Sequence, residues 1–173
     1  MPAFRPAALC LVPLALLLVS CGGDVSTGVF NRGKLYLATG GDDIDQTSAL
    51  TAYDPVTNTW SSKASLPEVR NDAVGVVIGG LFCLVGGQAT NTADGALYVY
   101  DPQGDSRTPR APMPTHRYHV NAEAIDGKIY VVSGLLQGDN TSEVVEGYDP
   151  VTNTWSSAAD ITTSRAAEAR TAM

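Results

Sequence analysis

Seven residues, Asp54-Pro55-Val56-Thr57-Asn58-Thr59-Trp60, recur letter for letter as Asp149-Pro150-Val151-Thr152-Asn153-Thr154-Trp155, and a degraded copy opens between them at Tyr100-Asp101-Pro102. Other landmarks keep the same step. Arg70, Arg117 and Arg165 follow one another at intervals of 47 and 48 residues, and Gly40-Gly41, Gly86-Gly87 and Gly134 each close an apolar run. A fixed period of this length means one supersecondary unit written several times, not one irregular domain. It constrains the fold more tightly than the function, because repeat scaffolds carry their function in variable loops.

Each period divides into four short apolar stretches. In the second copy they run Ala73–Ile78, Leu81–Val85, Ala96–Tyr100 and a last one near Arg107. In the third they run Val120–Ile125, Lys128–Val132, Val144–Tyr148 and Thr154–Ser157. All are rich in Val, Ile, Leu and Tyr and bounded by Gly, Asp, Asn and Pro, which is the pattern of strands. Asp126-Gly127 and Gly79-Gly80 supply the positive φ values that a two-residue hairpin needs, and Asn31-Arg32-Gly33 is expected to do so with one residue more. In the repeated heptapeptide, Asp can accept backbone N–H bonds, Pro presets φ and Asn tolerates the left-handed position. Four antiparallel strands in about 47 residues is the size of a propeller blade.

A strand-opening Arg, a Gly-Gly after the second strand, a Tyr closing the third and a Trp six residues beyond the following Asp together resemble the kelch repeat. Tyr36, Phe82 and Tyr130, each four residues before a glycine, add to the likeness. The resemblance covers residues 25–173. It implies an all-β fold, a kelch-type β-propeller of four-stranded blades near 25–66, 70–113 and 117–160, then the first strand of a fourth from Arg165. The departures are a first copy without the Arg, Arg107 at the Trp position, and Gly134-Leu135 in place of Gly-Gly. Tyr53, Trp60, Arg70, Gly86, Gly87, Tyr100, Arg117, Tyr148, Trp155 and Arg165 recur once per blade and so are expected to serve the blade: aromatics wedged between blades, arginines bonded to carbonyls at blade edges. Three blades do not close a ring, which takes four to eight. A longer parent protein, pairing of two chains and an open arc all remain open, and self-association through open blade edges is an expected consequence.

The first twenty residues read as a leader. One positive charge, Arg5, precedes the uncharged apolar run Ala7–Val19, the length of a secretory signal core. Leu18-Val19-Ser20-Cys21 resembles the lipobox of bacterial lipoproteins, which implies lipidation at Cys21, a linker over 21–24 and a lipid anchor as the only membrane attachment. Gly22 in place of Asp after that cysteine resembles an outer-membrane sorting signal. Of the three cysteines, Cys10 leaves with the leader, and Cys83 lies within Leu81-Phe82-Cys83-Leu84-Val85 as a small apolar residue. The net charge is −7, and −8 without residues 1–20, which hold Arg5 and no acid. That balance argues against nucleic acid or anionic lipid as a partner.

Function then falls to the loops. Connections between the second and third strands, and those between blades, share one face and differ in length and sequence among copies. Asp42, Asp43, Asp45, Gln88, Asn91, His116, Arg117, Gln137, Asp139 and Asn140 are the candidate binding residues there, for a protein or glycan ligand. The acidic run 42–45 lacks the glycine and distal Glu of a calcium loop, and His116 and His119 fall on opposite faces of a strand, so no metal or other cofactor is expected. Some kelch relatives are sugar mutarotases that work in the propeller funnel. Arg117 with Glu123 is the one pair to weigh for such chemistry, and it does not amount to a catalytic assignment.

Overall fold

The computed structural model describes residues 27–39 and 47–164. Strands β1 (Thr27–Asn31), β2 (Lys34–Ala38), β3 (Leu50–Asp54) and β4 (Thr59–Lys63) form the first antiparallel sheet in chain order. The second contains β5 (Val74–Ile78), β6 (Leu81–Val85), β9 (Leu97–Asp101) and β10 (Ser106–Arg110), and the third β11 (Asn121–Ile125), β12 (Lys128–Val132), β13 (Val145–Asp149) and β14 (Thr154–Ser157). These are three propeller blades. Strand ends fall within a residue of the expected positions in the second and third copies. One pairing was not anticipated: β7 (Gln88–Ala89) and β8 (Thr92–Ala93) make a small hairpin inside the second blade's loop. Cys21, Asp42, Asp43, Asp45 and the strand expected from Arg165 lie outside the described residues.

Turn chemistry sets the strand ends. Asp54 accepts the N–H groups of Val56 and Thr57 through Oδ1, at 2.9 and 3.4 Å, and Asp149 treats Val151 and Thr152 identically. Asn58 and Asn153 then take φ of 55° and 56° to turn the chain back. In the degraded copy Asp105 takes that place at φ 44°. The first hairpin differs from expectation. Asn31 pairs directly with Lys34, so Arg32-Gly33 is a two-residue turn like the others, with Arg32 itself at φ 51°.

Blade stacking explains the apolar pattern. Along β6, Phe82 and Leu84 pack against the first blade while Cys83 and Val85 pack against the third. A middle blade is covered on both faces, so its inner strands read as unbroken apolar runs instead of alternating ones. Burial pushes the Cys83 thiol up to about 12, which fits an inert core residue.

The ladder registers shift one detail of the sequence alignment. Phe82 and Ile129 face Tyr100 and Tyr148, whereas Tyr36 and Tyr130 occupy the position of Cys83, one residue on and therefore on the opposite blade face. The glycine pair shifts with them. Ser133-Gly134, not Gly134-Leu135, stands where Gly86-Gly87 stands, with φ of 60° and 107° against 66° and 93°. A Cβ added to Gly86 would lie 2.7 Å from the Arg117 carbonyl oxygen, so glycine is needed there for close approach of the next blade.

Candidate functional site

Two buried arginines organise the loop face. Arg70 is fully buried; it donates to the Gly86 carbonyl at 2.9 Å and to the carboxylates of Glu68 and Asp94 at 2.6 and 2.7 Å. Arg117, equally buried, donates to the carbonyls of Ser133 (2.7 Å), Val144 (2.6 Å) and Thr115 (3.3 Å) and to Glu146 at 2.7 Å. Each arginine thus ties the lead-in loop of its blade to the loop between the second and third strands. The partners trade places between blades. Thr115, the counterpart of Glu68, carries no charge, and the carboxylate comes instead from Glu146, at the position of Tyr98 in the second blade. Burial opposes charge on both guanidinium groups. Two carboxylates outweigh it at Arg70, which is shifted up, while burial prevails at Arg117, which is shifted down although Glu146 and the charge of Asp160 oppose it.

Arg117 carried two expectations, as a once-per-blade arginine bonded to carbonyls and as a candidate binding residue. Its bonds to carbonyls agree with the first; the second is corrected, because the residue is wholly buried and its donors are consumed by carbonyls and Glu146, so it cannot meet a ligand. Nor does it converge with Glu123, which lies exposed on β11 and accepts the N–H of Ala124. A fork of five donors fits three carbonyls and a carboxylate better than it fits catalysis here. Sequence reading missed Glu146 altogether. A lone Glu within Val144-Val145-Glu146-Gly147-Tyr148 was the available signal, since a carboxylate in an apolar strand needs a cation.

Above the arginines, the loops of the second and third blades are joined. Asn71 and Gln88 exchange backbone hydrogen bonds at 3.1 and 2.8 Å, and Tyr118 and Leu135 do the same one blade later at 3.0 and 2.7 Å. Across the blade boundary, the N–H groups of Gly87, His119 and Ala93 donate to the Arg117 carbonyl, the Asp72 carbonyl and Gln137 Oε1. Ala93, Tyr118 and Leu135 form a small apolar cluster beneath. The Tyr118 hydroxyl donates to Asp139, and burial followed by that carboxylate raises its pKa to about 12. His119 packs on the Tyr118 ring with centroids 5.2 Å apart, its Nδ1 3.7 Å from Asp72.

Of the candidate loop residues described, Asn91, His116, Gln137, Asp139 and Asn140 are exposed, and Gln88 is half-buried. They form one surface, spanning two blades, with a backbone held by pairing from below. Among the described residues no three His, Cys, Asp or Glu side chains come together as metal ligands.

The repeated aromatics divide by position in the stack. Tyr100 and Tyr148 are buried, with hydroxyls on Asp105 and Asn153 at 2.9 and 2.8 Å. Trp155 donates Nε1–H to the Ala111 carbonyl of the preceding blade at 2.7 Å, while the Ala111 N–H donates to Asn153. Trp60 was expected to wedge between blades, yet it is 55% exposed, because its face of the first blade has no described neighbour. Arg107, at the third such position, is also exposed.

Comparison with known proteins agrees with this geometry. Residues 116–162 match the family described as Kelch motif. The third blade is a kelch repeat. Kelch-like protein 35 of Mus musculus is 31% identical over 131 residues, which cover 75% of this chain and 22% of that protein. Kelch-like protein 25 of Xenopus tropicalis is 33% identical over 136 residues, 77% of this chain and 23% of that one. The chain therefore spans about a fifth of the length of these relatives. The solved structure of YjhT superposes with a TM-score of 0.69 at 17% identity, over 85% of this chain and 55% of that chain, and so shares the fold.

Proposed function

We propose that this chain is an envelope-anchored kelch binding module that recognises a protein or glycan through the loop face of its second and third blades. The observation that carries the reading is the contrast between two layers of that face. Arg70, Asp94, Arg117 and Glu146 are used up in holding the loops, and Gln137 and Asp139 accept from the Ala93 N–H and the Tyr118 hydroxyl, while Asn91, His116 and Asn140 stand exposed above them. A scaffold that fixes loop backbone from below and leaves polar side chains outward fits recognition better than it fits bond-making chemistry. Kelch repeats in the relatives are consistent with a binding role in general.

The test is a screen of the chain against glycan arrays and displayed peptide libraries. A genuine ligand should lose at least tenfold in affinity, about 1.4 kcal/mol, with Asn91→Ala/Asn140→Ala, and be unaffected by Lys34→Ala at the opposite turns. Binding that survives changes throughout the loop face would overturn the assignment of that surface.

The anchor rests on Leu18-Val19-Ser20-Cys21. With Cys21 lipidated, the blades would stand at the outer membrane on a short linker, and stable attachment needs more than one acyl chain. Metabolic labelling with palmitate is expected for the chain and lost in Cys21→Ala. Recovery of soluble periplasmic protein with an unmodified Cys21 would sink this part.

A further inference from the structure

The hairpin that carries Asn91 is held at both edges, and the two holds differ in kind. β7 and β8 close on Ala89 and Thr92 through the turn Thr90-Asn91, so Gln88 and Ala93 form a non-hydrogen-bonded pair whose backbone groups point outward. On the β7 edge, Gln88 meets the backbone of Asn71 in its own blade, at 3.1 and 2.8 Å. On the β8 edge, the Ala93 N–H goes to a side chain of the next blade, Gln137 Oε1, at 2.8 Å. A hairpin this short has little stability of its own. Its turn adds to the need for support. Thr90 and Asn91 both sit at positive φ, 51° and 59°, a region that a β-branched residue such as Thr disfavours.

Gln137 is itself fixed from below. It lies in a turn where the Leu136 N–H donates to the Asn140 carbonyl at 2.8 Å and the Asp139 N–H to the Leu136 carbonyl at 3.1 Å. The Asp139 carboxylate in that turn accepts the Tyr118 hydroxyl. Tyr118 is 4% exposed, packs with Ala93 and Leu135, and exchanges backbone hydrogen bonds with Leu135. A line of contacts thus runs from a buried tyrosine, through Asp139 and Gln137, to the hairpin of another blade.

We propose that Tyr118 and Gln137 are positioning residues of the loop face: they latch the Asn91 hairpin of the second blade to the third, so that Asn91 and Asn140 are presented as one surface. The inference rests on the binding reading of that face. It separates residues that would touch a ligand from residues that hold them in place, and Tyr118, being buried, acts only in the second way.

Hydrogen exchange followed amide by amide tests the latch without a ligand. In Gln137→Ala the Ala93 amide should exchange roughly fivefold faster, as loss of one hydrogen bond allows. Gln137→Glu keeps an acceptor oxygen and should restore most of the protection. The decisive variant is Tyr118→Phe, which leaves the ring in its cluster and removes the bond to Asp139. It should speed exchange at Ala93 as well, although the lost hydroxyl is bonded to Asp139 and not to the hairpin. Amides of β6 and β12 should keep their parent rates in all three variants, which shows that the blades remain folded. Unchanged exchange of Ala93 in Gln137→Ala or in Tyr118→Phe would overturn the proposal. So would failure of Gln137→Glu to restore protection, or acceleration that spreads into β6 and β12. Parent-like exchange in the variants would sink the latch and leave the binding reading intact, whereas a screen that finds no ligand for the loop face would not alter the exchange result.

Discussion

Arg117→Ala is expected to cost about 3–5 kcal/mol of folding stability, read as a fall in the denaturant midpoint, because it leaves the buried carboxylate of Glu146 without its cation. The carbonyls of Ser133, Val144 and Thr115 lose their donor in the same step. Arg117→Lys should recover only part of the loss, since an ammonium on a flexible stem cannot present the planar fork that reaches all of these at once. Arg117→Met combined with Glu146→Leu separates the terms. It removes both charges, so it should regain the electrostatic share, while the loop carbonyls stay unserved and keep the variant below the parent. Because each blade leans on its neighbour, the third sheet should melt first with the first two still folded. If Arg117→Ala left the midpoint unchanged, the arginine would be solvated and the loop face would not rest on it.

The architecture was legible because its signals are local. Asp54, Asp149, Asn58 and Asn153 encode the same turn through their own side chains, and a period of 47 needs no knowledge of packing. What was not legible depends on which blade stands beside which. Thr39, Gly86 and Ser133 occupy one structural position at almost one φ, yet only one is glycine, so aligning by the first glycine slipped the second copy by a residue against the first and third. A slip of one flips every side chain to the other face. It placed Phe82 with Tyr36 and Tyr130, which belong together one residue further on, with Cys83.

The loop face was half legible for a similar reason. Variable length marked the right loops, and five of the proposed side chains are exposed on them. Arg117 was wrongly included among the binding residues because its sequence neighbours, Thr115 to His119, read as polar loop. Its fate is decided by Glu146, 29 residues away on another strand, and by carbonyls that no sequence pattern shows. The exchange of carboxylate between Glu68 and Glu146 from one blade to the next hid it further, since the repeat keeps the arginine but not the place of its counter-charge.

The two tryptophans should respond very differently to the same substitution, although they close identical heptapeptides. Each packs on a cross-strand tyrosine, and losing that contact should cost about 1 kcal/mol in either case. Trp155 also fills the boundary with the second blade and donates to the Ala111 carbonyl, whereas Trp60 has no described blade beyond it. Trp155→Ala is therefore expected to cost about 3 kcal/mol in all, the low end for an aromatic truncation because the ring is only half-buried. Trp60→Ala should stop near 1 kcal/mol when measured at a dilution where the chain is monomeric. With only these two tryptophans in the chain, fluorescence reads each one separately in the variant lacking the other. Trp155 should emit to the blue of Trp60 and be quenched less by acrylamide. Equal losses on substitution would mean that Trp60 is covered in the monomer. A negligible loss at Trp155 would mean that blades two and three do not meet through it.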